Sequence, residues 1–176
     1  MERKFVKTKI NDFLKESLIN NNGDLEDLSQ DDINEILRGY IECAIWTEEE
    51  RLNDNNIDDE DVDDMDEIEK IIKMKNNFNT KNIKEFINDF IDDNSKIEAY
   101  LDIKKFIQTA GDVAIQEAID ENGLFQLGME IWLTRNGHGA GFFDHNYENE
   151  EVLTSSAKKL KSKDLYIGDD GMLYFD

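Results

Sequence analysis

Over the first two-thirds of the chain, apolar residues return at every third or fourth position, a spacing that fills one face of an α-helix and neither face of a strand. Ile33, Ile36, Leu37, Tyr40, Ile41, Ala44 and Ile45 form the clearest such series. Ser29 precedes it as an N-cap, and Asp32 sits in its first turn, where the helix dipole favours an acid. Cys43 falls on the flank of this helix beside Tyr40, close to the core boundary. Ile10, Phe13, Leu14 and Leu18 predict a shorter helix from Lys9 to Asn20, stopped by Asn20-Asn21-Asn22-Gly23. Val62, Met65, Ile68, Ile71 and Ile72 predict another over about 59–75, with acids leading and Lys70, Lys73 and Lys75 trailing. A helical hairpin follows, Ile83 to Ile91 and Ile97 to Ile107, with Asp92-Asp93-Asn94-Ser95 as break and cap. After Gly111, the run Val113 to Ile119 predicts another helical stretch, closed by Glu121-Asn122-Gly123.

The pattern then changes. Ile131-Trp132-Leu133-Thr134-Arg135 is rich in β-favouring residues, and a glycine-rich stretch, Asn136 to Gly141, separates it from Phe142-Phe143-Asp144. This predicts strand, turn, strand. A helix from about Glu148 to Lys163 is expected next, and then a hairpin in which Asp169-Asp170-Gly171 joins Leu165–Gly168 to Met172–Phe175. The expected fold is α+β in a single domain over 1–176: a helical part, about 1–128, packed on a small antiparallel sheet in a β-rich part, about 129–176. No internal repeat breaks the chain, and the absence of proline leaves no marked linker.

Charge narrows the partner. Forty-two acids against 20 bases give a net charge of −22, which opposes direct binding of DNA or RNA, because phosphate binders cluster Lys and Arg. The same charge attracts a basic surface, and nucleic-acid channels of other proteins are the most basic surfaces in a cell. Between Glu48 and Glu69 there are thirteen acids and one Arg, a net −12. One reading is a solvated, self-repelling surface loop. The sharper reading is that Asp54, Asp58, Asp59, Glu60, Asp61, Asp63 and Asp64 imitate the spaced charge of a nucleic-acid backbone and occupy a partner's basic groove. An EF-hand is excluded, since the glycine its loop needs is missing. Cys43 is the only thiol, and no apolar run suits a signal peptide or a bilayer span, so a cytoplasmic setting is expected.

The residues able to do chemistry cluster late. His138, Asp144 and His145 share one glycine-rich segment and are the donor types zinc accepts; Cys43 would complete a tetrahedral set from the helical half. The alternative is that His138 serves a tight turn and His145 is merely exposed. The glycines at 137–141 lack the Lys-Ser/Thr pair of a phosphate-binding loop, and Asp169-Asp170-Gly171 suits a turn better than an acid pair.

Three segments carry a family resemblance: Tyr40-Ile41-Glu42-Cys43-Ala44-Ile45-Trp46, then Trp132 to Asp144 (WLTRNGHGAGFFD), then Asp164-Leu165-Tyr166-Ile167-Gly168-Asp169-Asp170-Gly171. They resemble a group of uncharacterised phage and mobile-element proteins over roughly residues 36–174, loosely from about 70 to 118. This chain departs from that pattern at Met129, where the relatives often carry His, and at His145, where a basic residue such as Arg is usual. The resemblance implies a phage accessory protein, and small acidic proteins of that origin look like inhibitors of host defence. Asn-, Lys- and Ile-rich usage is similar to that of AT-rich bacterial genomes, where type II CRISPR systems with Cas9 are the common target. The expectation is a non-enzymatic anti-CRISPR protein that binds Cas9 in the bacterial cytoplasm and blocks guide or target DNA loading. The rivals are a metal-dependent hydrolase centred on His138, Asp144 and His145, and a DNA-mimic antirestriction protein.

Overall fold

The structure, a computed structural model, describes residues 28–54, 89–168 and 170–176. Among these residues the fold is α+β: four α-helices and a two-stranded antiparallel sheet at the C-terminal end. The expected helices over Lys9–Asn20 and about 59–75, and most of the one from Ile83, lie outside the described residues.

Helix α1, Gln30–Asp54, begins as its sequence predicts. Ser29 Oγ accepts from Asp32 N at 3.2 Å, and Asp32 Oδ2 accepts in return from Ser29 N at 2.8 Å, so two otherwise orphaned amides satisfy each other's side chains. The Ser29 hydroxyl, which donates to Asp32 Oδ2 at 2.7 Å, and after it the Ser29 amide hold the Asp32 carboxyl below its usual range. Its apolar series from Ile33 to Ile45 is buried, and Cys43 is wholly buried with it, not at the core boundary as its place on the helical wheel suggested. Helix α2, Asp93–Ala110, is capped by Asp92, whose carboxylate accepts from Asn94 N at 2.9 Å and Ser95 N at 3.1 Å.

Helix α3, Asp112–Asn136, bears out one expectation and overturns another. Its helical geometry stops at Gly123, φ 82° and ψ 169°, where the sequence placed a helix end, and a second helical stretch in line with the first begins beyond that kink. The segment 131–135 is the buried end of α3 and not a strand, and Phe142–Asp144 is one turn of 3-10 helix. The physical reason lies in burial: every residue from Glu130 to Arg135 is buried, and a helix surrounded on all sides shows no amphipathic period by which to be told from a buried strand. Helix α4, Glu150–Lys158, is shorter than the expected 148–163 span; Lys161, at φ 68°, lies past its end. Among the described residues the strands are thus confined to the last hairpin, which Ile91 joins by a single parallel bridge to Leu173, and the expected β-rich part from about residue 129 holds more helix than strand.

Helices α1 and α3 make the central crossing, and glycine permits it. A Cβ on Gly39 would stand 1.9 Å from the Phe125 carbonyl oxygen, and one on Gly128 would stand 2.0 Å from that of Ile36. Backbone therefore lies against backbone, with no room for a side chain at either glycine. Tyr40 meets Trp132 edge to face with centroids 5.0 Å apart, and Phe106 stacks on Phe142 at 5.5 Å.

The hairpin agrees with its sequence. Strands β1, Leu165–Ile167, and β2, Leu173–Phe175, pair antiparallel with Leu165 opposite Phe175, Tyr166 opposite Tyr174 and Ile167 opposite Leu173. The sheet docks on the start of α2: Asp92 N donates to Leu173 O at 3.0 Å, and Phe175 N donates to Ser95 Oγ at 3.1 Å. Phe175 packs against both Tyr40 and Trp132, which brings the chain's last strand into the α1–α3 core.

Candidate functional site

The segment Trp132–Asp144 buries the polar side chains of Trp132, Thr134 and Arg135 and leaves His138 and Asp144 exposed. Trp132 Nε1 donates to Thr47 Oγ1 at 2.9 Å, tying α3 to α1. Thr134 Oγ1 accepts from Phe142 N at 3.1 Å, and the chain comes so close that a Cβ on Gly141 would stand 2.1 Å from that same oxygen. Gly137, left-handed at φ 70°, closes α3 with its N–H on Leu133 O. Asn136 Oδ1 accepts from Lys163 N at 2.8 Å, and Asp144 Oδ2 accepts from Gly141 N at 3.0 Å. The three glycines thus serve a cap and a reversal and need no ligand to account for them.

Arg135 is the pivot. Its side chain is 1% exposed and spends its donors on four partners: Tyr40 Oη, Asp102 Oδ2 at 2.7 Å, Leu160 O at 3.1 Å and Lys161 O at 2.8 Å. Three helices and the segment leaving α4 meet on one guanidinium, the only side chain whose planar fork can serve them together. Lys163 adds a second cation against Asp102 at 3.3 Å and Glu98 at 3.0 Å. Burial pushes the Tyr40 hydroxyl above its ordinary range, against the pull of Arg135.

A second polar cluster surrounds Glu130, whose side chain is 1% exposed. Its carboxylate accepts from Tyr147 Oη at 2.9 Å and from Gln126 Nε2 at 3.3 Å, and His145 Nε2 lies 2.9 Å from Oε1. Asn122 Nδ2 donates to Tyr147 Oη in turn. Burial raises the Glu130 carboxyl above the usual carboxylate range; Tyr147, His145 and Gln126 oppose that rise, and the nearby charge of Asp144 adds to it. Sequence reasoning passed over Glu130, although one carboxylate inside the apolar run Leu127–Leu133 was a signal that a partner waits there.

The proposed zinc ligands do not converge. Among the described residues no group of three or more His, Cys, Asp or Glu stands together to hold a metal. Cys43 is sealed in the core, where burial, helped by the charge of Glu42, pushes its thiol up to about 12, far from a thiolate. His138 is exposed on the turn after α3, Asp144 bonds the Gly141 amide, and His145 turns to Glu130. Of the proposed partner-binding acids, Asp54 is the last residue of α1; Asp58, Asp59, Glu60, Asp61, Asp63 and Asp64 lie outside the described residues.

Within the described residues a further acidic surface forms where α4 begins against the first half of α3. Glu117 accepts from Glu148 N, from Asn149 N at 3.1 Å and from Asn149 Nδ2 at 2.7 Å, which brings Glu148, Glu150 and Glu151 alongside the helix bearing Asp120 and Glu121. These amides hold the Glu117 carboxyl below its usual range, the Asn149 side chain first. Among the described residues no helix is long and apolar enough to cross a membrane. Comparison with protein-family models, with curated proteins and with solved structures finds no match for the chain.

Proposed function

We propose that this protein is a phage-encoded acidic ligand of a basic, nucleic-acid-handling protein, an anti-CRISPR protein that binds Cas9 and blocks loading of guide or target DNA. The observation that carries this reading is the concentration of net −12 between Glu48 and Glu69, beginning one residue after Thr47 of α1. Thr47 is buried and bonded to Trp132, and the helix continues past it to Asp54. Glu48, Glu49, Glu50 and Asp54 therefore follow that core-bonded threonine on one helix. With Arg51 among them the seven residues carry net −3, one charge per about 3.5 Å of helix axis, against one per about 1.7 Å along duplex DNA. A segment of this charge is drawn to a cationic channel by long-range attraction and competes there with nucleic acid. The resemblance to phage and mobile-element proteins supports a defence nuclease as the owner of that channel.

The test is complex formation with purified Cas9 at rising salt, alongside DNA cleavage. A complex that forms at low salt, weakens as salt rises and suppresses cleavage is the expected result. No complex at low salt, with cleavage undiminished, would remove the reading. Capture of a restriction enzyme in place of Cas9 would move the protein to the DNA-mimic antirestriction class on the same charge argument.

A further inference from the structure

The C-terminal hairpin carries its own acidic, aromatic face. Its strands alternate: Leu165, Leu173 and Phe175 are buried against the helices, while the cross-strand pair Tyr166 and Tyr174 faces outward. The two rings stack with centroids 5.4 Å apart and planes 17° from parallel, and Tyr166 remains 45% exposed. The face is built in advance of any ligand. Tyr174 Oη donates to Asp170 Oδ2 at 2.9 Å, and Met172 N donates to Asp170 Oδ1 at 3.1 Å, so the turn holds the ring by its hydroxyl. The ring lies so close over Gly168 that a Cβ there would stand 2.5 Å from Tyr174 Cε2. From Asp164 to Asp176 the chain has four acids and neither Lys nor Arg.

We propose that this outer face, Tyr166 stacked on Tyr174 with Asp170 at its edge, is a docking surface for an arginine side chain of a basic protein partner. A guanidinium is planar and weakly hydrated, so it can lie on a tyrosine ring while its edge donates to a carboxylate. Asp170 has lone pairs left after its two bonds within the turn. A lysine ammonium of equal charge cannot stack in this way. Rings already fixed lose little conformational freedom on binding, and tyrosine and arginine are the residues on which interfaces concentrate their affinity. The inference rests on the reading of the protein as an acidic ligand of a basic partner and names a chemical preference for part of that contact.

The experiment uses the full-length protein and two labelled peptides of equal length and charge, one of arginine and one of lysine, followed by fluorescence anisotropy at low salt. Long-range attraction to the acidic tract is common to both peptides, whereas the fork of arginine also pairs with carboxylates anywhere on the chain, so stacking is read from the part of the difference that Tyr166 supplies. The arginine peptide is expected to bind about fivefold more tightly. Tyr166→Ala and Tyr166→Leu should each reduce that preference and leave the lysine peptide's affinity unchanged; Tyr174→Phe, which keeps the ring, should retain it. Equal affinity for the two peptides in the unmodified protein, or a preference undiminished in both Tyr166 variants, overturns the proposal. Cas9 is absent from this assay, so loss of the arginine preference and failure to bind Cas9 are separate results, each readable without the other.

Discussion

Glu130 and Arg135 sit five residues apart on one helix, and their burial has opposite consequences. Arg135 keeps its charge and finds a partner for each donor group; removing the guanidinium would strand Asp102 and the carbonyls of Leu160 and Lys161. Arg135→Lys preserves the charge and loses the fork, so it should destabilise the fold by about 2 kcal/mol, as leaving buried carbonyls unpaired does, measured by urea unfolding. An unchanged midpoint would show that the guanidinium does not tie these elements together. Glu130 faces Tyr147, His145, Gln126 and the charge of Asp144, and burial outweighs its partners to raise its carboxyl. A group whose folded pKa lies above its unfolded value stabilises the fold while protonated. That contribution is complete below about 4.5 and fades as pH rises through the folded value. Glu130→Gln cannot ionise, so the stability of the variant should gain on that of the parent as pH is raised from about 4.5 towards neutrality. Unfolding midpoints across that range check it, and a constant difference would mean that the carboxyl is not perturbed.

At the scale of elements, the crossing of α1 over α3 decides the fold, and it depends on two glycines with no side chain to give. Gly128→Ala would drive a methyl group into the Ile36 carbonyl and the Tyr40 amide, both backbone and neither able to swing aside. The expected cost is about 3 kcal/mol, seen as a lowered thermal midpoint, against the small gain that alanine brings in an open helix. These glycines lie inside helical series, and nothing in the sequence distinguishes a packing glycine from a tolerated one. Elements with a one-sided pattern were legible: α1 from its apolar series and Ser29, α2 from Asp92, the hairpin from alternation around Asp-Gly. Residues 131–135 were misread because burial on every side leaves no period, and β-favouring types then outweighed the helix they belong to. The same burial hid Glu130, His145 and Tyr147 as a set, since their contact spans α3 and the loop beyond it. Cys43 shows the reverse error: a thiol grouped with histidines by chemical type is separated from them by the core that encloses it.

For the molecule as a whole, charge is unevenly placed along the chain, with a net −12 between Glu48 and Glu69 out of −22. Among the described residues the core is built from α1 to α4 and the hairpin, with ties such as Arg135 to Asp102 and Trp132 to Thr47, while the acids from Asp58 to Asp64 lie outside the described residues. Replacing Asp58, Asp59, Glu60, Asp61, Asp63 and Asp64 by their amides would bring the net charge from −22 to −16. Less self-repulsion should leave thermal stability unchanged or slightly raised. Attraction to a cationic partner should fall together with its dependence on salt, because fewer charges exchange with the counterions held in the partner's channel. Measured against Cas9, the expected result is a folded variant with a weaker complex, a shallower salt response and restored DNA cleavage. A variant that unfolds would place these carboxylates in the stability of the chain. One that stays folded and still blocks cleavage at full strength would show that the inhibitory contact lies elsewhere, with the acidic edge of α3 and α4 the next surface to neutralise.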